Sequence, residues 1–400
     1  MTISKPRLLL FTLEFYPFQG GVASYNDNLI RGLAQMGYRV DVLTSRLSGR
    51  REEEKQSDRE LVRSGRIRVV RKQLYSRGKL LQWAFIIPVF ILFFRKPDVI
   101  LITDDAGQRV ASVLQISLLR IPYFITVHGS EVYSTFSRET SAAGMDRKLF
   151  RWFKRRAERF FSKSEGVIFV SRYTRDLFKR FFDKPLKRCK IVHNGIGEDI
   201  ILSEPEVKKR YEARGDKIVC ITVSRIDPRK NHAAVFRALK LIPDSIRSRI
   251  IYKIIGSGPF RNELEARARR LGLENQIIFL GELSEKQKYR ELDTADIYIM
   301  PSKQVRGTVE GLGISFLEAA ARGLPLIGGR HGGVPEVIHD GYNGFLVDPD
   351  DNRGIMHALK KLVENHSLRE KMGWNSWKRV REHFTREKMT AATREFMFRN

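Results

Sequence analysis

Short apolar runs that end in glycine or in a polar cluster recur along the chain, with segments of helical spacing between them. Arg7 to Thr12 predicts a buried parallel strand. It runs into the turn Tyr16-Pro17-Phe18-Gln19-Gly20-Gly21, a helix from Val22 to Met36 ended by Gly37, and a strand from Tyr38 to Thr44. Strand, Gly-Gly turn, helix and strand make a βαβ unit of the doubly wound type. Apolar strands at Ile67 to Val70, Asp98 to Thr103, Tyr123 to Val127 and Gly166 to Val170 continue the pattern, and a glycine turn at Ile191 to Ile196 ends it. A second series opens with Lys217 to Val223 and continues through Ile250 to Ile255, Ile277 to Leu280, Ile297 to Pro301 and Leu324 to Gly328. The pattern predicts an α/β protein of two doubly wound, Rossmann-like domains, residues 1–196 and 197–375. The tail from Ser367 to Asn400 is helical by spacing, with Trp374 and Trp377 as packing anchors, and its end, residues 376–400, is expected to pack back on the first domain.

Three stretches break the alternation. Residues 45–66 are charged with few apolar positions and predict a mobile surface loop. Leu80 to Phe94 is apolar but interrupted by Pro88, and falls short of the eighteen or so residues a spanning helix needs. A buried helix and a face dipping into a membrane surface are both compatible with it. Asp146 to Arg159 predicts a helix with Leu149, Phe150, Trp152 and Phe153 among many Lys and Arg. A solvated basic face, an anionic membrane surface and nucleic acid are the alternatives there.

Charge sharpens this picture. The 400 residues carry a formal net charge of +27. Residues 1–200 hold 37 Lys/Arg against 20 Asp/Glu, and the remainder 36 against 26, so the excess lies mainly in the first half. Such a field favours polyanionic partners and says nothing of fold. The two cysteines, Cys189 and Cys220, have no paired spacing, which argues against a disulfide scaffold or zinc site and fits a reducing compartment. Glu14 interrupts the N-terminal apolar run, which reads as a first strand and not as a signal peptide.

Candidate chemistry gathers at strand ends, where open α/β sheets bind ligands. In Val309 to Glu318, two carboxylates, Glu310 and Glu318, flank the glycine turn Gly311-Leu312-Gly313 before a helix. Free N–H groups at a helix start suit a phosphate, and carboxylates accept from sugar hydroxyls. The structural alternative is a core helix with two solvated glutamates. Arg225 and Lys230 follow the strand ending at Val223 and are placed to reach one phosphate pair, Arg as a planar clamp and Lys as a point charge. His128 stands at another strand end, before Gly129. The Gly20-Gly21 turn permits close backbone approach to a phosphate or sugar, and a plain tight turn is the alternative.

Together these segments resemble the retaining family 4 glycosyltransferases of GT-B fold, two facing Rossmann-like domains with the active site in the cleft. The resemblance rests on FQGGV (18–22), VHGSE (127–131), HNGI (193–196), SRIDPRKN (224–231), GSGP (256–259), the stretch from Pro301 to Gly329, and HGGVPEVIHDGYNGFLVDPDD (331–351). The form VRGTVEGLGISFLEA is also similar to that of bacterial phosphatidylinositol mannosyltransferases. The resemblance implies that Arg225 and Lys230 hold the donor diphosphate, that Glu318 binds ribose hydroxyls, and that Glu310 binds the transferred sugar. Backbone amides at Leu312, Gly313 and Ile314 would meet the distal phosphate, Gly20 and Gly21 would pass close to the donor, and His128 would line the reacting sugar. It further implies a nucleotide-sugar donor such as GDP-mannose or a UDP-sugar, a lipid-linked or glycan acceptor, no cofactor and no divalent metal. Asp348-Pro349-Asp350 has an Asp-x-Asp spacing but falls where the family has only structure, and Arg330-His331 carries no implied role.

The leading expectation is a cytoplasmic, metal-independent hexosyltransferase of cell-envelope or polysaccharide synthesis, peripheral on an anionic membrane surface and without a nucleic-acid partner. The alternative is a non-catalytic protein of the same fold that binds nucleic acid or membrane through its basic first domain. A sugar phosphorylase would want a lysine-linked pyridoxal phosphate, for which the sequence carries no feature.

Overall fold

The computed structural model describes residues 5–18, 20–47, 49–72, 96–113, 116–137, 146–212 and 215–398. The apolar run Leu80 to Phe94 lies outside them. The chain divides into two compact units, Met1–Gly195 with Arg386–Asn400, and Ile196–Thr385.

In the first unit, strands β1 (Arg7–Phe11), β2 (Arg39–Ser45), β3 (Ile67–Lys72), β4 (Val99–Ile102), β5 (Tyr123–Val127), β6 (Gly166–Phe169) and β7 (Cys189–Ile191) form one sheet in the order β3-β2-β1-β4-β5-β6-β7. Every pairing is parallel. β1, β4, β5 and β6 are almost wholly buried, as strands covered on both faces must be. In the second unit, β8 (Ile218–Val223), β9 (Ile250–Ile255), β10 (Ile277–Gly281), β11 (Ile297–Met300), β12 (Leu326–Gly329) and β13 (Gly344–Val347) form a parallel sheet in the order β10-β9-β8-β11-β12-β13. Each sheet is wound outward in both directions from its first strand. The switch points therefore fall between β1 and β4 and between β8 and β11, and these are the places where a crevice opens at the carboxyl ends of the strands.

The expectation of a mobile loop over residues 45–66 is corrected: Arg51–Val62 is a helix. Its signal escapes an apolar count because the buried positions are Glu54, Ser57 and Leu61, one stripe at helical spacing that is mostly polar. Buried Arg71 on β3 compensates the acids, pairing with Asp58 at 2.7 Å and with Glu54 at 3.9 Å. Acidic Glu52, Glu53 and Glu54 in the first turn also suit the helix dipole.

The helical tail is two helices, His366–His383 and Arg386–Phe398, broken at Phe384-Thr385. The division between units falls at this break and not at residue 375. The first helix stays with the second unit, where Trp377 is buried and its Nε1 donates to the Leu202 carbonyl at 2.7 Å. The second packs within the first unit on helix Gly21–Gln35, so closely that a Cβ at Gly32 would meet Thr390 Oγ1 at 2.2 Å. The basic helix runs Arg147–Lys163, capped by Asp146, which accepts from the Lys148 and Leu149 amides at 2.8 and 3.2 Å. Its buried face, Ala157, Phe160 and Phe161, joins an aromatic cluster with Phe136, Phe178 and Phe182. Burying each such phenyl ring stabilises the unit by about 1.5–3 kcal/mol relative to exposure.

Candidate functional site

The second unit's switch point carries most of the candidate residues. After β8 the chain turns through Ser224 to Asp227 into a single 3-10 turn, Pro228–Lys230. Asp227 caps that turn by accepting from the Arg229 amide at 3.0 Å. Asn231 follows in the left-handed region (φ 59°), a conformation that asparagine tolerates, and helix His232–Leu241 begins there. The Asn231 side-chain amide donates to the Pro301 carbonyl beyond β11 at 3.1 Å and to the Pro349 carbonyl beyond β13 at 2.7 Å. One side chain thus ties together the segments beyond three strands.

This turn faces the stretch that follows β11. Glu310 Oε2 accepts from Lys230 Nζ and from Arg229 Nη1, both at 2.7 Å. The Glu310 side chain is 12% exposed and that of Lys230 9%. Burial pushes the Glu310 carboxyl up, but Lys230 and Arg229 outweigh it and hold the group down at about 2. Burial pulls the Lys230 ammonium below its ordinary value, against the opposing pull of Glu310. Glu310 Oε1 has no partner among the described residues and remains an acceptor. Two glycines let the chain after β12 pass directly beneath this loop. The Gly333 amide donates to the Glu310 carbonyl at 2.9 Å, and a Cβ at Gly332 would come within 2.3 Å of that same oxygen.

Helix Ile314–Ala321 starts one turn further on. Gly313 holds a positive φ of 91°, and a Cβ there would sit 2.7 Å from the Phe316 ring. The amides of Leu312, Gly313 and Ile314 make no hydrogen bond among the described residues, which leaves three donors at a helix N-terminus. Glu318 lies on the same helix, 6% exposed, its Oε1 accepting from Lys288 Nζ at 2.8 Å and from the Tyr289 hydroxyl at 3.3 Å. Lys288, itself 7% exposed, also pairs with Glu285 at 2.8 Å. With two acids sharing one cation, burial and Glu285 push the Glu318 carboxyl up against the pull of Lys288. Burial works against the Lys288 charge, and the two carboxylates overcome it and raise its pKa. Glu318 Oε2, like Glu310 Oε1, has no partner among the described residues. Each glutamate therefore has one oxygen fixed by a buried lysine and the other available.

The structure brings Lys230 to Glu310 but does not join Arg225 to them. Arg225 is exposed, with no ion pair or hydrogen bond from its side chain among the described residues. The cation paired beside Lys230 is Arg229, which sequence reasoning passed over although it lies in the same SRIDPRKN segment. Lys288 was also missed. Its helix, Glu285–Thr294, is mostly charged and reads as solvated surface. Of the remaining motifs, Arg330 pairs with Asp340 at 2.8 Å. In Asp348-Pro349-Asp350, Asp348 accepts from the Asp350 amide at 2.9 Å, and Asp350 pairs with Lys303 at 2.6 Å.

In the first unit, Gly20 is the N-cap of helix Gly21–Gln35, with extended backbone and no side-chain cap, and the first turn holds no acid. His128 follows β5. Gly129, at φ 123°, turns the chain into helix Ser130–Phe136, and Glu131 of that helix accepts from the His128 amide. The imidazole stands edge-on to Tyr25, with ring centroids 4.9 Å apart, and its buried Nε2 has no hydrogen-bond partner among the described residues. Burial lowers the His128 pKa to about 4, so the ring is neutral at pH 7. Beyond β4, buried Asp104 accepts from the Leu13 and Gly107 amides at 3.0 and 3.2 Å. Burial, with Glu14 nearby, raises its carboxyl to about 8.

Two parallel sheets, each wound about a switch point, define an α/β protein of two Rossmann-like units, the GT-B pattern. Residues 19–199 match the Glycosyltransferase Family 4 model and residues 203–379 the model of Glycosyl transferases group 1, so the chain belongs to this glycosyltransferase family. A GDP-mannose-dependent alpha-(1-6)-phosphatidylinositol monomannoside mannosyltransferase from Mycolicibacterium smegmatis is 33% identical over 220 residues, 52% of this chain and 56% of that one. The chain thus spans about half the length of this relative. An uncharacterized glycosyltransferase from Methanocaldococcus jannaschii is 26% identical over 97% of this chain and 96% of its own. Among solved structures, Anabaena HepE in complex with UDP-glucose superposes with a TM-score of 0.73 at 18% identity, covering 98% of this chain and 99% of that one, which is a likeness of fold.

Proposed function

We propose that this protein is a retaining glycosyltransferase that moves a hexose from a nucleotide diphosphate sugar to a lipid-linked or glycan acceptor without a divalent metal. The observation that carries the reading is the switch point of the second unit, where buried Lys230, half-buried Arg229 and three helix N-terminal amides unused among the described residues lie along a stretch bearing two anchored glutamates. That set matches a diphosphate between two polyols. Lys230, with exposed Arg225 and the amides of Leu312, Gly313 and Ile314, suits the phosphates. Glu310 Oε1 suits the sugar hydroxyls and Glu318 Oε2 the ribose. Gly20, Gly21 and His128 take the roles that the family gives their positions, the donor-side turn and the lining of the reacting sugar. A neutral, desolvated imidazole suits contact with a sugar that becomes cationic.

The chemistry follows from charge. The bond from the anomeric carbon to the phosphate oxygen breaks, its electron pair stays on the diphosphate, and positive charge grows on the ring. Preplaced cations and helix amides stabilise the first of these charges. The acceptor oxygen bonds to the same face of the anomeric carbon, and its proton passes to a leaving phosphate oxygen. The hexose donors in view are GDP-mannose, which the Mycolicibacterium relative's name carries, and UDP-sugars, one of which occupies HepE. The basic first unit is proposed to keep the protein at an anionic membrane surface. Among the described residues no helix is long and apolar enough to cross a membrane.

A panel of GDP- and UDP-sugars, scored by hydrolysis and by protection from thermal unfolding, tests the reading. One sugar nucleotide should raise the melting temperature and be turned over without added metal, with the product keeping the donor's anomeric configuration by NMR. If Glu310→Ala and Arg225→Ala both leave donor turnover unchanged, the site assignment is wrong.

A further inference from the structure

Helix Arg147–Lys163 holds charges that its own fold does not use. Lys148, Arg151, Arg155 and Arg159 recur at three- and four-residue spacing, so each lies next to another on one face. All four are exposed, and their side chains have no ion pair or hydrogen bond among the described residues. The acid on the helix, Glu158, is engaged by Lys184 at 2.9 Å. Like charges at this spacing repel, and among the described residues no side-chain ion pair of these four offsets that repulsion. The four cations line an open groove of about 540 Å³ whose wall also includes Ser112 and Ser117. Arg156 is fixed beside it, its Nη1 donating to the Val113 carbonyl at 3.3 Å and its guanidinium stacked 4.5 Å from the centre of the Trp152 ring. Trp152 and Leu149 on the same helix are 42% and 46% exposed.

We propose that this groove seats the exposed phosphomonoester of an anionic membrane lipid of the phosphatidic acid type, with Trp152 and Leu149 entering the headgroup layer beside it. Arginines in a row offer planar, bidentate recognition of phosphate oxygens, and the Ser117 hydroxyl adds a donor that a purely diffuse charge effect would not need, the Ser112 hydroxyl being spent on the Arg109 carbonyl at 2.8 Å. Tryptophan suits the boundary between water and acyl chains, and an exposed leucine gains from burial there. Single-stranded nucleic acid would ask for open aromatic faces on which to stack bases. Here the one exposed indole is already covered on one side by Arg156, and its exposed companion is aliphatic. The inference rests on the proposed membrane association and gives it a discrete site.

Co-sedimentation with phosphatidylcholine vesicles tests it. The vesicles carry either phosphatidic acid or phosphatidylserine, matched for surface potential, so that diffuse charge is the same and only the exposed phosphomonoester differs. Binding should favour phosphatidic acid by about tenfold at equal potential. Arg155→Gln with Arg159→Gln should abolish that preference, and Trp152→Ala should weaken binding to both lipids. Millimolar inorganic phosphate should leave the vesicle-bound fraction in place. Equal binding to both lipids, full displacement by inorganic phosphate, or tighter binding to an RNA oligonucleotide at the same salt each overturns the proposal. If the double variant does not fold, Arg151→Gln is read in the same assay, and an unchanged lipid preference there also overturns it. Donor hydrolysis in solution, measured alongside, should be the same in wild type and variants. Its absence from wild type would count against the glycosyltransferase reading and leave the lipid result standing.

Discussion

In the second unit the charged groups beside the strand ends are buried and matched, Glu310 against Lys230 and Arg229, and Glu318 against Lys288. In the first unit the groups near the strand ends are buried and shifted toward their neutral forms, His128 to about 4, Glu131 to about 7 and Asp104 to about 8, while four exposed cations without a side-chain partner among the described residues stand on helix Arg147–Lys163. Matched buried charges define one geometry and suit one ligand, because desolvation is offset only when the partners are in place. Unmatched exposed charges suit a broad anionic surface and weaken with salt. The same basic protein thus separates recognition of a small anion from attraction to a large one.

The strongest way to break this contrast is to remove an acid from the matched set. Glu310→Ala leaves buried Lys230 without its ion-pair partner, and should cost about 3–5 kcal/mol of stability. Donor turnover should fall by about a hundredfold or more, read in the hydrolysis assay beside a urea melt. The cations come next. Lys230→Met should lower turnover by about tenfold to a hundredfold and also destabilise, whereas Arg225→Ala should lower turnover with the melt unchanged, since Arg225 is exposed and its side chain has no partner among the described residues. Equal effects of the two on the melt would refute the division between a buried anchor and a free clamp.

Lys288→Met probes the second glutamate at one remove. Without the cation the Glu318 carboxyl rises further and loses its fixed oxygen. The donor KM should rise about tenfold with kcat nearly kept, and Lys288→Arg should restore part of it. A loss confined to kcat would mean that Lys288 acts on the chemistry and not on nucleotide binding.

The smallest effect separates the two units by pH. Glu310, depressed to about 2 from 4.5, contributes stability that is present above pH 4.5 and lost as pH falls through about 2. Asp104, raised to about 8 from 3.8, has the opposite sign, its contribution being present below 3.8 and lost as pH rises through about 8. Warming the protein at pH 6 and pH 9 should show the alkaline sample melting roughly 5–10 °C lower, and Asp104→Asn should shrink that gap.

Both sheets were legible in the sequence because buried parallel strands are continuous apolar runs, and those runs end where the chemistry sits. What stayed hidden is where polar groups pair through space. The contact of Lys230 with Glu310 joins residues eighty positions apart, and no spacing rule reports it. Arg225 stands at a strand end and so reads as the clamp, and only the 3-10 turn shows that Arg229 is the residue aimed at Glu310. Lys288 and helix Arg51–Val62 escaped for one shared reason, since both bury charge against charge and an apolar pattern cannot see that.

Asn231 carries a consequence of its own. Its two side-chain hydrogen bonds reach the carbonyls of Pro301 and Pro349, beyond β11 and β13, from a backbone position directly after the 3-10 turn that holds Lys230. Segments knotted at one amide cannot fray independently, so hydrogen exchange in all three should proceed through a common opening with one protection factor. Asn231→Asp, which keeps the shape but reverses the amide's donors, should split that single opening into separate ones.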